Sequence, residues 1–415
     1  MRSPVARSQP LVPSLQQELV TPCSQPPRLA RFDVDDGVVL LLESSGKLIF
    51  LNPTAAFIWS GIDAGLSIEE LISKLAEHAR VPLERATTDC TNWLAEWKKL
   101  CTLETEYPSR HDLKSLEEPP TVVAAEELLI SLGECEFRFE NLHRLLDFGF
   151  NIRVTNAEDK NLIRQLIGDL PECVGPVKAV FDLIPVKDRY ILRQNGRVID
   201  SCRGTDELLP MIHASLLLAA YMGSDCTVAL HAAALSRGDR CVLLPGPSGA
   251  GKSTLSAALL ARDFEFCSDD LVLLTGAPIR VRGLGVRVGL KKASWAALMD
   301  TWPELEELPI YRRPDGKLIR YFLPSTTTTD TAAHDSYTPS CVVFPSYGSN
   351  VKTELIRVGT GEALQKLAAA GYDLRGRINR ELVSELIDWL STTPCYELRY
   401  GDLDHAVDAV EELLE

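Results

Sequence analysis

The chain has 415 residues, of which 45% are hydrophobic and 24% charged, an ordinary composition for a globular protein of two or three domains. Its formal net charge of −15 disfavours nucleic acid and anionic membrane surfaces as general partners. The eleven cysteines show no C-x-x-C and no Cys/His ligand spacing, so neither a zinc site nor a disulfide framework is predicted. Without a membrane-length apolar run or an N-terminal signal core, we expect a cytoplasmic protein.

Residues 1–31 contain several prolines and little apolar periodicity, which predicts a mostly disordered segment. The apolar runs 38–42 and 47–51 are separated by a Ser- and Gly-containing turn, the pattern of a β-hairpin. Asn52 and Pro53 then predict the start of a helix over 54–62. A capping box from Ser67 to Glu70 predicts a second helix through 79.

A third helix is predicted over residues 84–100, with an apolar stripe that includes Trp93 and Trp97. The hairpin, the three helices and the segment L-N-P-T-A-A-F-I-W at 51–59 resemble the PqqD family of peptide chaperones. That resemblance implies a winged-helix domain over 32–107 that recognises the leader of a ribosomally made, modified peptide. The alternatives are a domain that only supports the rest of the chain and, more weakly because its helices are not basic, a DNA-binding winged helix.

In the PqqD family the leader adds as a strand to the hairpin edge and packs against the third helix, which is β-augmentation. The resemblance therefore implies peptide-binding roles for Leu48, Phe50, Trp93 and Trp97. For the two tryptophans, a place in the hydrophobic core is the competing interpretation.

Residues 108–121 are predicted to be a linker, and 122–225 to be an α+β region without identifiable chemistry. Half-buried strands are predicted at 134–139 and 151–154, and helices at 160–170 and 207–221. The pair Asn195-Gly196 is a strong signal for a tight hairpin turn.

The most informative stretch is a phosphate-loop pattern, G-x-x-x-x-G-K-[ST], matched at every position by Gly246, Pro247, Ser248, Gly249, Ala250, Gly251, Lys252 and Ser253. An apolar strand is predicted before it at 241–244, and a helix after it at 254–260. Backbone N–H groups, Lys252 and Thr254 at the helix start would bind the phosphates, and the Ser253 hydroxyl would bind Mg²⁺. The sequence therefore predicts a site for ATP or another nucleoside triphosphate.

Two further features flank this loop. His231 lies in a strand-like run, 227–235, that a turn at 236–239 joins to the loop strand, and Asp269-Asp270 follow Lys252 closely. In this order and spacing the chain resembles the HPr kinase/phosphorylase family and its HPr-related kinases. The resemblance implies a PEP-carboxykinase-like nucleotide fold over 122–415 rather than a RecA-like sheet. The family's Arg-Pro-Gly-Arg segment is missing from the expected region, so phosphorolysis and HPr as substrate are not predicted.

The resemblance suggests that one aspartate lies near the metal and the other is the general base. We assign Asp269 to the metal and Asp270 to the base, while the reverse assignment stays open. Both can reach the site only if the strand has ended before them, since adjacent strand residues point to opposite faces. His231 would lie beside the phosphates, as a hydrogen-bond donor or as a group that tunes the base.

Several basic residues are candidates for binding the γ-phosphate or an acidic substrate. We favour Lys291 and Arg320, because each follows an apolar strand-like run; the others are Arg312, Arg313 and Lys317. A Thr-rich loop at 325–331 is a candidate lid.

The predicted fold is thus α/β and α+β, a PqqD-like winged helix followed by an HPr-kinase-like P-loop domain. The predicted function is an ATP- and Mg²⁺-dependent kinase that phosphorylates a hydroxyl, most simply Ser, of a precursor peptide bound by its leader. Two alternatives stay open: a kinase for a small metabolite such as free serine, and a nucleotide-gated peptide chaperone that transfers no phosphate. Other peptide-modifying enzymes are possible partners, and an oligomer is possible.

Overall fold

The computed structural model describes residues 7–9, 29–43, 46–102, 135–324, 336–374 and 378–414. Most of the predicted N-terminal segment, the predicted linker 108–121 and the loop 325–331 lie outside the described residues. The described part is a mixed α/β structure whose strands form five sheets. Among the described residues, no helix combines the length and apolarity that crossing a membrane requires.

The strands are, in chain order, β1 (Arg7–Gln9), β2 (Leu29–Val34), β3 (Gly37–Leu42), β4 (Lys47–Leu51), β5 (Phe139–Leu145), β6 (Phe148–Val154), β7 (Val177–Val186), β8 (Arg189–Gln194), β9 (Arg197–Arg203), β10 (Val228–Leu230), β11 (Ala232–Arg237), β12 (Arg240–Pro245), β13 (Glu265–Ser268), β14 (Val272–Thr275), β15 (Arg280–Gly283), β16 (Val288–Lys291), β17 (Tyr311–Arg312), β18 (Leu318–Phe322), β19 (Thr338–Tyr347), β20 (Glu354–Arg357), β21 (Tyr372–Leu374) and β22 (Cys395–Tyr400).

The α-helices are α1 (Pro53–Asp63), α2 (Ile68–Ala79), α3 (Leu83–Thr102), α4 (Ala157–Ile167), α5 (Leu208–Gly223), α6 (Lys252–Leu259), α7 (Lys292–Leu298), α8 (Thr360–Ala370), α9 (Arg380–Thr392) and α10 (Leu403–Glu412). The chain divides into two compact units. The first comprises Met1–Ser115, Val358–Ala368 and Gly376–Cys395, and the second comprises Leu116–Arg357, Ala369–Arg375 and Tyr396–Glu415. Two segments from the C-terminal part of the chain therefore belong to the same unit as the N-terminal hairpin and helices.

In the first unit, the hairpin and three helices predicted from sequence are present. Asn52 accepts a hydrogen bond from the Ala55 N–H at 2.9 Å and caps α1, while Ser67 and Glu70 form the predicted capping box of α2. The hairpin strands lie in an antiparallel sheet of order β1-β2-β3-β4. Strand β2 was not predicted, because Arg31 and Asp33 interrupt its apolar residues; the two side chains pair with each other at 2.7 Å.

Both faces of this sheet are covered within the first unit. Leu40, Ile49 and Leu51 lie in one cluster with Trp59 of α1 and Trp97 of α3. On the opposite face Phe32, Val39 and Leu41 are no more than 1% exposed. Helix α9 packs against β2. The Phe50 ring fills the space beside Gly361 of α8.

The β2–β3 turn caps α8. The Asp36 carboxylate accepts hydrogen bonds from the N–H groups of Gly361 and Glu362 at 2.7 and 2.9 Å, and Asp35 accepts one from Thr360 at 2.9 Å. These contacts satisfy three of the N–H groups that a helix start leaves unpaired. The acidic turn of the N-terminal sheet thereby fixes the start of a helix that lies more than 300 residues later in the chain.

The second unit contains the other four sheets. A five-stranded sheet, β5-β6-β7-β8-β9, packs on α4 and α5 and carries the predicted tight turn, in which Asn195 and Gly196 have φ of 51° and 82°. The predicted strand at 134–139 is wrong for most of its length, because β5 begins at Phe139. A six-stranded sheet has the order β13-β11-β12-β19-β22-β20, with β12 and β19 parallel.

The predicted strand 227–235 is divided at His231. Strand β10 ends at Leu230 and pairs with β14 and β21, whereas β11 begins at Ala232 and pairs with β12 and β13 in the six-stranded sheet. The prediction of one continuous strand was wrong, because an unbroken apolar run carries no signal for a change of sheet. His231 consequently lies at the junction of two sheets, at the same edge as Pro245, the last residue of β12.

Candidate functional site

The phosphate-loop pattern forms a turn between β12 and α6, with the predicted strand before it and the predicted helix after it. Gly249 and Gly251 have φ of 96° and 97°, in the region that side chains other than glycine rarely adopt. A Cβ at Gly251 would also overlap the Tyr400 hydroxyl. The N-terminus of α6 therefore follows directly on a tight glycine turn, a geometry that favours anions.

Lys252 is only 5% exposed and is held by three contacts. Its Nζ donates to the carbonyl oxygens of Gly246 and Pro247 at 2.5 and 3.1 Å, and lies 3.0 Å from Nε2 of His231. Burial lowers the pKa of Lys252 to about 8, although the charges of Asp269 and Asp270 partly offset this effect. The ammonium group is thus fixed at the mouth of the loop, close to two carboxylates.

His231 is oriented from both sides. Its Nδ1 lies 3.0 Å from the carbonyl oxygen of Asp270, and its backbone N–H donates to the Gly371 carbonyl at 3.0 Å. A proton on Nδ1 satisfies the Asp270 carbonyl and leaves Nε2 as the acceptor for Lys252. Burial, followed by the Lys252 charge, lowers the pKa of His231, so this neutral form is favoured.

The two aspartates follow the end of β13 at Ser268, which meets the condition for both to reach one site. A Cβ placed on Gly289 would lie 3.7 Å from Asp269 Oδ2 and 3.9 Å from Asp270 Oδ2. Both carboxylates therefore lie beside Gly289 in β16, next to the Ile319 side chain, which packs against the same glycine. Asp269 is 3% exposed, whereas Asp270 is partly exposed.

Asp269 has the chemistry of a cation ligand. Its Oδ2 accepts from the Gly289 N–H at 2.9 Å, while Oδ1 is buried and has no hydrogen-bond partner among the residues that the structure describes. Burial, followed by the charge of Asp270, raises the pKa of Asp269 to about 7; the Gly289 N–H and the nearby Ser253 hydroxyl oppose this rise. An unpaired buried carboxylate oxygen beside a hydroxyl suits Mg²⁺, which needs few protein ligands when phosphates supply others. The described residues hold no cluster of three or more His, Cys, Asp or Glu arranged for a metal.

The two favoured basic residues have different surroundings. Lys291 Nζ lies 3.0 Å from the Ser248 hydroxyl, so its charge is next to the loop. Arg320 instead stacks on the Trp295 ring at 4.2 Å and donates to the Glu306 carbonyl at 3.2 Å. Its neighbour Tyr321 pairs with Gly289, and strand alternation turns Arg320 to the opposite face. The structure brings Lys291 to the loop and does not bring Arg320 there.

Two residues that the sequence did not single out border the aspartates. Tyr321 lies opposite Gly289, and the His213 ring of α5 packs 5.1 Å from the Tyr321 ring. Burial lowers the pKa of His213, and the charge of Asp270 partly offsets this effect. Asp270 is close enough for its charge to act on both His213 and Tyr321. In the sequence, His213 was visible only as the one histidine of the mostly apolar helix α5. That pattern does not indicate which residue it contacts.

The four residues assigned to peptide binding lie on two different faces of the N-terminal sheet. Trp93 and Trp97 stack at 5.2 Å, and both pack on the sheet face that carries Ile49. Leu48 and Phe50 point to the other face of the sheet and are half-buried. There the Phe50 ring lies against Gly361 of α8. In the part of the chain that the structure describes, β4 pairs only with β3, so its other side is a sheet edge. Leu48 and Phe50 thus lie in the edge strand, while the two tryptophans pack on the opposite face of the sheet.

The comparison with family models matches residues 37–102 to the family described as Coenzyme PQQ synthesis protein D (PqqD). The match begins at β3 and ends with α3, so it covers the hairpin and the three helices. The comparison with curated proteins gave no match. The PqqD-like interpretation of the N-terminal domain is therefore supported, whereas the HPr-kinase-like interpretation of the remaining chain stays a prediction.

Proposed function

We propose that the protein is an ATP-dependent phosphotransferase that phosphorylates a hydroxyl, most simply that of Ser, in a ribosomally made precursor peptide. The PqqD match over residues 37–102 supports the peptide-binding half of this proposal, because PqqD domains bind precursor peptides or partner enzymes. The edge of β4 suits a peptide that pairs as an added strand through main-chain hydrogen bonds.

One observation carries the catalytic half: a lysine, a neutral histidine and two carboxylates converge on one glycine-rich loop. Phosphoryl transfer depends mainly on positioning and on neutralising charge, with a carboxylate that receives the acceptor's proton. Lys252, the N–H groups at the start of α6 and Lys291 supply the positive field. When bound, Mg²⁺ would supply further charge neutralisation, held by Asp269 Oδ1 and Ser253.

The division of labour between the aspartates follows from their surroundings. Asp269 is buried and held by the Gly289 N–H, and its Oδ1 accepts no hydrogen bond from the described part of the chain, which suits a metal ligand. Asp270 is partly exposed, so an acceptor hydroxyl can approach it. As the acceptor oxygen bonds to the γ-phosphorus, its proton passes to Asp270, the bond to the β–γ bridging oxygen breaks and ADP leaves.

His231 acts through Lys252 in this scheme. Its Nε2 accepts from the lysine and its Nδ1–H donates to the Asp270 main chain, so it holds the cation and the base at a fixed separation. His231 is accordingly a positioning residue rather than a phosphate donor or acceptor.

The test is a transfer assay with γ-labelled ATP, Mg²⁺ and precursor peptides encoded by genes next to this one. We expect label in one precursor, and loss of that label when its acceptor Ser is replaced by Ala. A protein that binds ATP but labels no precursor contradicts the proposal. Label in free serine under the same conditions favours the metabolite kinase instead.

The second candidate is a nucleotide-gated peptide chaperone. It is favoured by the fact that the family match covers a peptide-binding domain and no catalytic segment. Such a chaperone needs the loop and the metal site, but not Asp270. A peptide affinity that differs between the ADP-bound and the ATP-bound protein would support the chaperone, provided that the ATP is neither hydrolysed nor used for transfer.

A further inference from the structure

Tyr347, the last residue of β19, lies beside the phosphate loop. Its backbone N–H donates to the Ala250 carbonyl at 3.3 Å, and its Cβ would lie 3.3 Å from a Cβ on Gly251. Its ring packs against the buried Tyr400 ring, with centroids 5.6 Å apart and planes at 60°. Tyr347 is nevertheless 57% exposed, so more than half of this aromatic residue beside the loop is open to solvent.

An exposed tyrosine is common on protein surfaces, and exposure alone indicates no function. The position of this one in the sheet is informative. Strands β12 and β19 are parallel neighbours, so their carboxyl ends, which carry the loop and Tyr347, lie at the same edge. In open α/β sheets that edge is where ligands bind.

The order of strands separates the two ends of a bound triphosphate. His231 and the two aspartates come from β11 and β13, on one side of β12, whereas Tyr347 and Tyr400 come from β19 and β22 on the other side. A triphosphate in the loop has its γ-phosphate on the side of the aspartates, where transfer is proposed. Its nucleoside therefore extends toward β19 and β22.

We infer that Tyr347 is the base-binding residue of this site: the purine of a nucleoside triphosphate stacks on the exposed face of its ring. Tyr400 packs against the same ring, with the two ring planes at 60°. Because every base has a π-face, stacking tolerates different bases, and ATP and GTP should bind with similar affinity. The inference rests on the proposed nucleotide binding and adds to it the residue that holds the base.

The local backbone allows Tyr347 to be changed without disturbing the loop. Gly348 donates its N–H to the Tyr400 carbonyl at 2.9 Å, and Val351 donates to Gly348 at 3.3 Å. These main-chain bonds, like that from Tyr347 to Ala250, do not use the Tyr347 ring. Replacing this half-exposed side chain should leave the fold intact.

The experiment compares wild type, Tyr347→Leu and Tyr347→Phe by calorimetry with Mg·ATP, Mg·GTP and Mg·tripolyphosphate, which has no base. A stacked base contributes about 1–3 kcal/mol, so Tyr347→Leu should weaken ATP and GTP binding by about 5- to 150-fold. Tyrosine and phenylalanine share the stacking surface, so Tyr347→Phe should stay within about threefold of wild type. Tripolyphosphate affinity should be the same in all three proteins.

The outcomes separate this inference from the proposal on which it rests. If wild type binds ATP and Tyr347→Leu binds it equally well, the inference is wrong while nucleotide binding stands. An equal loss of ATP and tripolyphosphate in Tyr347→Leu also overturns it, because the ring would then act on the loop itself. If wild type binds neither ATP nor tripolyphosphate, the proposed function fails first. Unfolding temperatures of the variants verify that each is folded.

Discussion

The phosphate-loop region and the PqqD-like region differ in what determines the position of their functional side chains. Around the loop, Gly246 to Ser253 are consecutive, and the glycine turn and the following helix largely fix their geometry. In the PqqD-like region, strand alternation turns Phe50 away from the sheet face on which Trp97 of α3 packs, and Gly361 of α8, far along the chain, lies against the Phe50 ring. A contiguous motif is thus a better guide to local geometry than a set of side chains spread over a hairpin and a helix.

Replacing Trp97 tests whether this side chain belongs to the hydrophobic core of the PqqD-like region. It is 6% exposed and stacks on Trp93, so Trp97→Ala should lower the free energy of unfolding by about 3–5 kcal/mol. Leu48→Ala, on the half-buried face of β4, is the matched control and should cost about 1–2 kcal/mol or less. Chemical denaturation measures both. Equal and small losses would mean that Trp97 is available to a peptide after all.

The next prediction concerns the base. Asp270→Asn keeps the shape of the side chain but removes most of its basicity, so transfer should fall by about 10²-fold or more while ATP still binds. Asp269→Asn is the matched variant, and it should weaken Mg²⁺-dependent ATP binding as well as transfer. Rates from labelled ATP and affinities from calorimetry distinguish the two. Full activity of Asp270→Asn, with loss in Asp269→Asn alone, would reverse the assignment.

Lys252→Ala removes the charge at the mouth of the loop but keeps the backbone turn. Binding of Mg·ATP should weaken by about 2–3 kcal/mol, as expected for loss of a charge-assisted contact. Arg320→Ala serves as the control, because Arg320 stacks on Trp295 away from the loop and should leave ATP affinity unchanged. Equal affinities for wild type and Lys252→Ala would mean that the loop does not bind phosphate.

A last substitution tests whether the acidic turn of the N-terminal sheet stabilises the protein. Asp36→Ala leaves two N–H groups at the start of α8 without their acceptor and should cost about 1–2 kcal/mol of stability. Asp33→Ala is the control: it removes a more exposed ion pair with Arg31 and should cost at most about 1 kcal/mol. If both variants unfold at the temperature of wild type, the contact between the turn and α8 contributes no stability.

The elements that the sequence predicted correctly depend on short-range interactions. The capping box at Ser67, the turn at Asn195-Gly196 and the loop before Lys252 each involve residues within a few positions of one another. Two of them also need backbone conformations that glycine or asparagine adopts easily. Such patterns can be recognised without knowing the tertiary structure.

The features that the sequence missed depend on distant partners. The change of sheet at His231 is set by β14, β21, β12 and β13, which pair with β10 and β11. The approach of His213 to Tyr321 joins residues that are far apart in the chain. Arg320 follows an apolar run as Lys291 does, but pairing between β16 and β18 directs it to Trp295. Only tertiary pairing decides which of two equivalent sequence candidates reaches the site.

We propose that the loop site acts on peptides captured by the PqqD-like domain, and kinetics with and without the leader test this coupling. Intact protein is assayed with a precursor peptide, with the same peptide lacking its leader, and with added free leader. Tethering raises the local concentration of the acceptor to about the millimolar range. The KM for the precursor should therefore be at least about tenfold lower than the KM for the leaderless peptide, at similar kcat. Free leader should raise that KM toward the leaderless value. Equal KM values for the two peptides, unaffected by free leader, would contradict the claim.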